Sequence, residues 1–312
     1  KTFITIFALQ DLRNENIVIE MRPNNPFLIA GYHSPEFFCD RVRETKELSD
    51  ALFNGRNVTL ISPRRMGKTG LISHLFASIP EKEAYCIYVD LYKTSCLREF
   101  VECLAKSVVG NCGSPSLREK IIQALQSLRF SFSSDPITGT PEIGVSIVEA
   151  QSEISLQQIF DYMEHADKPV YIALDEFQQI QYYPEVKIEE TLRTYIQHLR
   201  NTYFIFAGSQ KHMMMDMFSS AKRAFYQSAQ TMHIGTIPEN EYYAFAVRHF
   251  NNNGQELQKK AFEFLYTSLQ AHTWYLQSVL NRLYESKIAQ IDIQVTQEVI
   301  QTLVDENAYT YQ

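Results

Sequence analysis

The sequence predicts an α/β fold with a parallel sheet covered by helices on both faces. Three observations carry this expectation. Runs rich in Val, Ile and Tyr alternate with amphipathic helical stretches as far as about residue 235. Apolar runs such as Asn57–Ile61 and Val170–Asp175 have the length and make-up of buried strands. A short loop, Ser62–Thr69, separates the first of these from a helix start.

In chain order, Lys1–Leu9 has a basic start and a brief apolar run without a cleavage site, and reads as an extra N-terminal strand. Asn57–Ile61 is the next strand, and Gly70–Ile79 is a helix stopped by Pro80. Tyr85–Leu91 is a strand. Leu97–Val109 is an apolar-striped helix ended at Gly110, and after a loop Leu117–Leu128 resumes helix. Phe130–Val148 alternates apolar and polar residues around Asp135-Pro136 and Thr138-Gly139, the pattern of an inserted hairpin. Helix Leu156–Ala166, strand Val170–Asp175, helix Ile188–Arg200, strand Tyr203–Ala207 and the short strand Thr231–Ile234 complete the sheet. Past Pro238 the sequence gives no obvious strand; three helical patterns, Glu239–Phe250, Leu257–Leu269 and Trp274–Ser286, predict a small helical domain beginning near Gly235.

Composition narrows the function classes. With 312 residues, 45% hydrophobic, 21% charged, and only 11 Gly and 11 Pro, the chain can bury a sizeable core, which excludes global disorder, collagen and coiled coil. A net charge of -7 argues against coating nucleic acid or an acidic membrane. The five cysteines form no CxxC pair, so reduced thiols and a cytoplasmic location are expected. No run of about 18 apolar residues is present to span a membrane.

The chemistry concentrates in three places. Ser62-Pro63-Arg64-Arg65-Met66-Gly67-Lys68-Thr69, followed by Gly70, ends in the GK[ST] signature of a phosphate-binding loop and stands between a strand and a helix start. Backbone N–H groups at a helix N-terminus suit a polyphosphate, Gly67 permits close approach, Lys68 reaches the β and γ phosphates, and Thr69 offers a hard oxygen to Mg²⁺. Ser62 stands where such loops usually begin with Gly, which requires a backbone conformation open to a residue with a Cβ. Asp175 and Glu176 end the strongest strand run at its C-terminal end, where ligands of open α/β sheets bind. There Asp175 would hold Mg²⁺ and Glu176 would polarise the attacking water. Finally, Phe204–Ala207 runs into Gly208-Ser209-Gln210, whose Ser209 or Gln210 would orient that water. No Asn-Lys-x-Asp guanine motif occurs, so adenine is the expected base.

Together SPRRMGKT, ALDEF, FAGSQ and the segment Phe38–Glu44 resemble the AAA+ superfamily of P-loop ATPases, and more closely its STAND-like prokaryotic type, the archaeal ATPase family. The resemblance covers about residues 26 to 286. It implies five parallel strands in the order 5-1-4-3-2 plus a helical lid, with the segment from Phe27 to Arg41 near the adenine and Arg41 bracing it. It also implies a lid contact to phosphate from His272, in Ala271-His272-Thr273-Trp274, and an arginine finger at Arg223 acting on a neighbouring subunit. The implied domains are an N-terminal extension (1–25), the nucleotide-binding core (26–235, with the hairpin near 129–148), the lid (236–286), and the start of a winged-helix domain (287–312). The expected activity is Mg²⁺-dependent binding and hydrolysis of ATP by a nucleotide-driven switch, slow without a protein partner. Competing expectations are a scaffold that holds ADP and a DNA-loading initiator, for which the missing winged helix would supply the nucleic-acid contact.

Overall fold

The computed structural model describes residues 25–111, 122–123, 128–134 and 141–308; an irregular segment runs from residue 25 to Arg41, interrupted by a 3₁₀ turn at Pro35–Phe37. The expected N-terminal strand, the helix expected at Leu117–Leu128 apart from three of its residues, and Cys112 lie outside the described residues. Helix α1 (Val42–Phe53) follows, starting from Arg41 in the left-handed region. The sheet is then built from β1 (Val58–Ile61), β2 (Tyr85–Asp90), β5 (Val170–Asp175), β6 (Thr202–Gly208) and β7 (Gln230–His233). Between them run α2 (Lys68–Ser78), α3 (Leu97–Gly110), α4 (Ser152–Glu164), α5 (Ile188–Ile196) and α6 (Lys211–Ser219).

All four strand pairings of this sheet are parallel, and its spatial order is β2-β5-β6-β1-β7. This label sequence differs from the expected 5-1-4-3-2 because β3 (Arg129–Ser134) and β4 (Pro141–Ser146) take two numbers while forming their own antiparallel pair. Counted over the five sheet strands alone, the order from the β7 edge is 5-1-4-3-2.

Side-chain alternation divides the sheet between two cores. Val170, Ile172 and Leu174 of β5 and Phe204 and Phe206 of β6 face one cluster, with α3, α4, α5 and α6 over it. Tyr171, Ala173, Ile205 and Ala207 face the other, under α1 and α2. Every residue of β5 is buried, because a strand covered on both faces has no solvated side to alternate with. Met214 and Met217 are fully buried in the first of these clusters, beside Phe177 and Phe206.

The chain then forms a second, helical unit from α7 (Glu239–Asn252), α8 (Lys259–Ser268), α9 (Thr273–Ser286) and α10 (Ile293–Ala308). A two-residue parallel pair, β8 (Glu256–Leu257) with β9 (Gln290–Ile291), was not visible in the sequence. Buried Gln255 fixes it by donating to the carbonyls of Leu283 (2.9 Å) and Ile288 (3.2 Å). The expected boundary at residue 286 is not where packing stops: Ile291 is buried in this unit's core, and Val295, Val299 and Leu303 of α10 pack against it. Phe27 also belongs to that core. No helix among the described residues is long and apolar enough to cross a membrane.

Candidate nucleotide site

Helix α2 begins where Gly67 adopts φ 95°, a left-handed conformation that a Cβ would strain. The first N–H groups of a helix lack partners within it, so the turn at Lys68–Gly70 offers backbone donors and the positive end of the helix dipole. A Cβ added at Gly67 would meet nothing within 4 Å, so the space over the loop is open. Ser62, standing where such loops usually open with Gly, is absent from the residues with positive φ and therefore fits without strain. Its hydroxyl donates to Pro63 O at 3.0 Å.

A cavity of about 580 Å³ lies over this loop. Arg64, Arg65, Gly67, Lys68, Thr69 and Gly70 form one wall, Leu28 to Gly31 another, and Tyr92, Glu176, Thr273 and Trp274 close the rest. Its charged lining is three cations against one carboxylate, which favours an anion. Lys68 is only 6% exposed and makes no ion pair among the described residues, an arrangement that a bound anion would compensate.

The acids at the end of β5 meet the loop here. Thr69 Oγ1 donates to Asp175 Oδ2 at 2.7 Å, and the Tyr88 hydroxyl donates to the same oxygen at 2.8 Å. Burial, reinforced by the Asp175 charge and hydrogen bond, pushes the Tyr88 phenol up, so it remains a donor. Asp175 Oδ1 accepts from the Glu176 N–H at 2.9 Å. Glu176 itself stands at φ 54°. Its Oε2 accepts from Ser209 Oγ at 2.6 Å and from the Gln178 amide. Gln178 is 1% exposed and packs against Gly208, where an added Cβ would fall 2.5 Å from its Oε1. Met214 crowds the same point, with its Cγ and Sδ also at 2.5 Å, so two side chains together favour glycine at the end of β6.

A hydroxyl and a carboxylate at hydrogen-bond distance beside an open phosphate-type loop fit Mg²⁺, which takes one or two protein oxygens and completes its shell with phosphate and water. Among the described residues no group of three or more His, Cys, Asp or Glu could hold a metal by itself.

Several expected site residues have other surroundings. Phe27 does not line the cavity: it is 0% exposed and sits edge-on to Phe245 and Tyr284 and stacked on Phe250. Its neighbours Leu28–Gly31 form the wall instead, anchored because Asn281 Nδ2 donates to Phe27 O and Asn25 Nδ2 to Asn281 O. His272 is the N-cap residue of α9, its ring against Tyr275, and it does not line the cavity; Thr273 and Trp274, next along the helix start, do. Arg223 pairs with Glu189 and with Asp216 (3.4 Å) within its own chain, also outside the cavity lining. Ser62, Pro63, Met66 and Ser209 support the site without lining it. Arg41, 3% exposed, donates to Met66 O (3.3 Å) and to Gly235 O (2.8 Å), so it ties the loop to the junction between sheet and helical unit. Tyr88, Gln178 and Trp274 were not among the expected site residues; Gln178, two residues after Glu176, and Trp274, two after His272, had a positional cue, and Tyr88 had none.

No family model matches the chain, and no curated protein matches it at the level searched. Solved structures do. The Walker-type ATPase PABY2304 of Pyrococcus abyssi superposes with a TM-score of 0.62 at 17% identity, over 92% of this chain and 79% of that one. The ORC2 protein of Aeropyrum pernix, solved as ADPNP and ADP complexes, gives 0.58 at 14% identity over 89% and 70%. The ORC1 protein of the same organism, solved in complex with DNA, gives 0.57 at 11% identity over 90% and 69%. The chain shares the fold of these three structures.

Proposed function

We propose that this chain binds ATP and hydrolyses it with Mg²⁺, as a nucleotide-driven switch of the STAND-like AAA+ type. The observation that carries the reading is the 2.7 Å approach of Thr69 to Asp175, with Glu176 beside them on the wall of an open, cationic cavity. In this reading Lys68 and the N–H groups at the start of α2 bind the β and γ phosphates. Thr69 and Asp175 hold Mg²⁺, which when bound neutralises phosphate charge. Glu176 takes the proton of the attacking water while Ser209 and Gln178 hold its carboxylate in place. Leu28–Gly31 form the adenine side, which the absence of a guanine-reading motif favours.

The helical unit acts as the lid in this account, since Thr273 and Trp274 reach the cavity from its helix α9. In this reading the core runs over 26–235, and the lid, expected over 236–286, continues through α10, whose Val295, Val299 and Leu303 pack on its core. The net charge of -7 gives the present residues no electrostatic reason to bind DNA on their own. Equilibrium binding of a fluorescent ATP analogue tests the site: wild type binds with Mg²⁺, and Lys68→Ala loses at least tenfold in affinity. Equal affinity in the two proteins would refute the assignment.

A further inference from the structure

Arg65 and Trp274 meet across the cavity, one from the phosphate loop and the other from the first turn of α9. The guanidinium carbon lies 4.3 Å from the centroid of the indole. Both residues line the cavity, and Trp274 is the chain's one tryptophan. Arg65 forms no ion pair among the described residues and stands at φ 61°, which is disfavoured for a residue with a Cβ. Its side chain therefore has an aromatic face as partner within a cavity whose other features call for an anion.

A solvent-accessible cation–π contact is weak, whereas guanidinium and phosphate form charge-assisted, often bidentate hydrogen bonds. A polyphosphate held by Lys68 would bring anionic oxygens within reach of a residue three positions earlier in the same loop. Resting on the nucleotide reading above and deepening it, we propose that Arg65 is an exchange contact: its guanidinium has two competing partners, the face of Trp274 and the phosphate oxygens of a nucleotide, and nucleotide draws it from the ring. Arrival of nucleotide then releases the start of α9 from the phosphate loop, and the helical unit senses occupancy through one side chain. Coupling of this kind is reciprocal, so the stack opposes nucleotide binding by its own worth. Removing the ring should tighten binding by about two- to five-fold, the equivalent of an exposed cation–π contact.

The test follows ADP binding by calorimetry, which does not depend on tryptophan, and in parallel the acrylamide quenching of Trp274 fluorescence. Wild type, Arg65→Lys and Trp274→Leu are compared. Lysine keeps the charge but not the planar face of the guanidinium. In wild type ADP should change the quenching of Trp274. Nucleotide-free Arg65→Lys should already show the quenching of ADP-bound wild type, with little further change on ADP, and Trp274→Leu should bind ADP two- to five-fold more tightly. A full wild-type response in Arg65→Lys, no response in wild type that binds ADP, or weaker ADP binding by Trp274→Leu would each overturn the exchange while leaving the nucleotide site standing. Absence of calorimetric ADP binding in wild type would instead remove the site, and the exchange with it.

Discussion

The Ser209 hydroxyl donates to Oε2 of Glu176 at 2.6 Å, across from one strand end to the next. The Gln178 amide donates to the same oxygen, so one side of the carboxylate is held by two neutral donors, while Oε1 makes no hydrogen bond among the described residues. Glu176 is thus positioned by groups that do not line the cavity themselves.

Ser209→Ala should lower the rate of ATP hydrolysis about 10- to 100-fold, the range expected for losing a hydrogen bond to a charged group. Nucleotide affinity should change by less than about threefold, because Ser209 does not line the cavity. Steady-state kcat and KM separate the two effects. A parallel loss of affinity would mean that Ser209 supports the loop and not the carboxylate.

The Asp175 carboxylate accepts three hydrogen bonds, from Thr69, Tyr88 and its neighbour's N–H. Asp175→Asn should raise the Mg²⁺ concentration needed for half-maximal nucleotide binding at least tenfold, while Tyr88→Phe should leave it within about threefold and lower stability by about 1–2 kcal/mol. Mg²⁺ titrations and urea unfolding of both variants check this. An unchanged Mg²⁺ requirement in Asp175→Asn would take this carboxylate out of the metal site.

Phe27 joins two tasks, filling the core of the helical unit and carrying the wall Leu28–Gly31. Phe27→Ala should destabilise the helical unit by about 3–5 kcal/mol, the cost typical of deleting a buried ring. Phe27→Leu should recover much of that stability and, with it, nucleotide affinity. Thermal unfolding and binding should therefore move together across wild type, Leu and Ala; affinity lost in Leu with stability kept would place the ring in contact with the base.

These residues mark how far the sequence was legible. Strand runs such as Val170–Asp175 and the loop before Lys68 are local patterns, and the burial of the five β5 residues before Asp175 follows from their largely apolar make-up. Whether an aromatic beside a phosphate loop stacks on a base or fills a core is not local: Phe27 is decided by Phe245, Phe250 and Tyr284, more than 200 positions away. His272 and Trp274 differ by two positions at a helix start, and such a step changes which side of the helix a side chain leaves. The β8–β9 pair has two residues per strand, too few for any period to register. Arg223 was expected to reach a neighbouring subunit, yet Glu189 and Asp216 come from helices α5 and α6 to pair with it.

Acid should loosen the packing of the N-terminal segment on helices α2 and α7. Burial, and then the Arg248 charge, hold His249 below the usual histidine range, and burial does the same for His74, which stacks on Phe38. The unfolded chain takes up protons near pH 6.5, the ordinary histidine value, while the folded chain resists until lower pH. Stability should therefore be fully present above about pH 6.5 and fall as pH drops toward the folded pKa values. His249 Nε2 lies 3.2 Å from Glu36 O, so a His249→Gln variant that can keep a donor there should show a flatter profile in chemical unfolding between pH 8 and 5.5. An equal slope in the variant would assign the acid sensitivity elsewhere.

The most direct measurement is phosphate release from Mg-ATP by wild type beside Lys68→Ala and Glu176→Gln, with the nucleotide held by each protein identified by chromatography. Wild type should turn over ATP, neither variant should, and ATP should be retained by Glu176→Gln but not by Lys68→Ala. Wild-type turnover that persists in Glu176→Gln, or equal nucleotide retention by Lys68→Ala, would contradict the nucleotide reading.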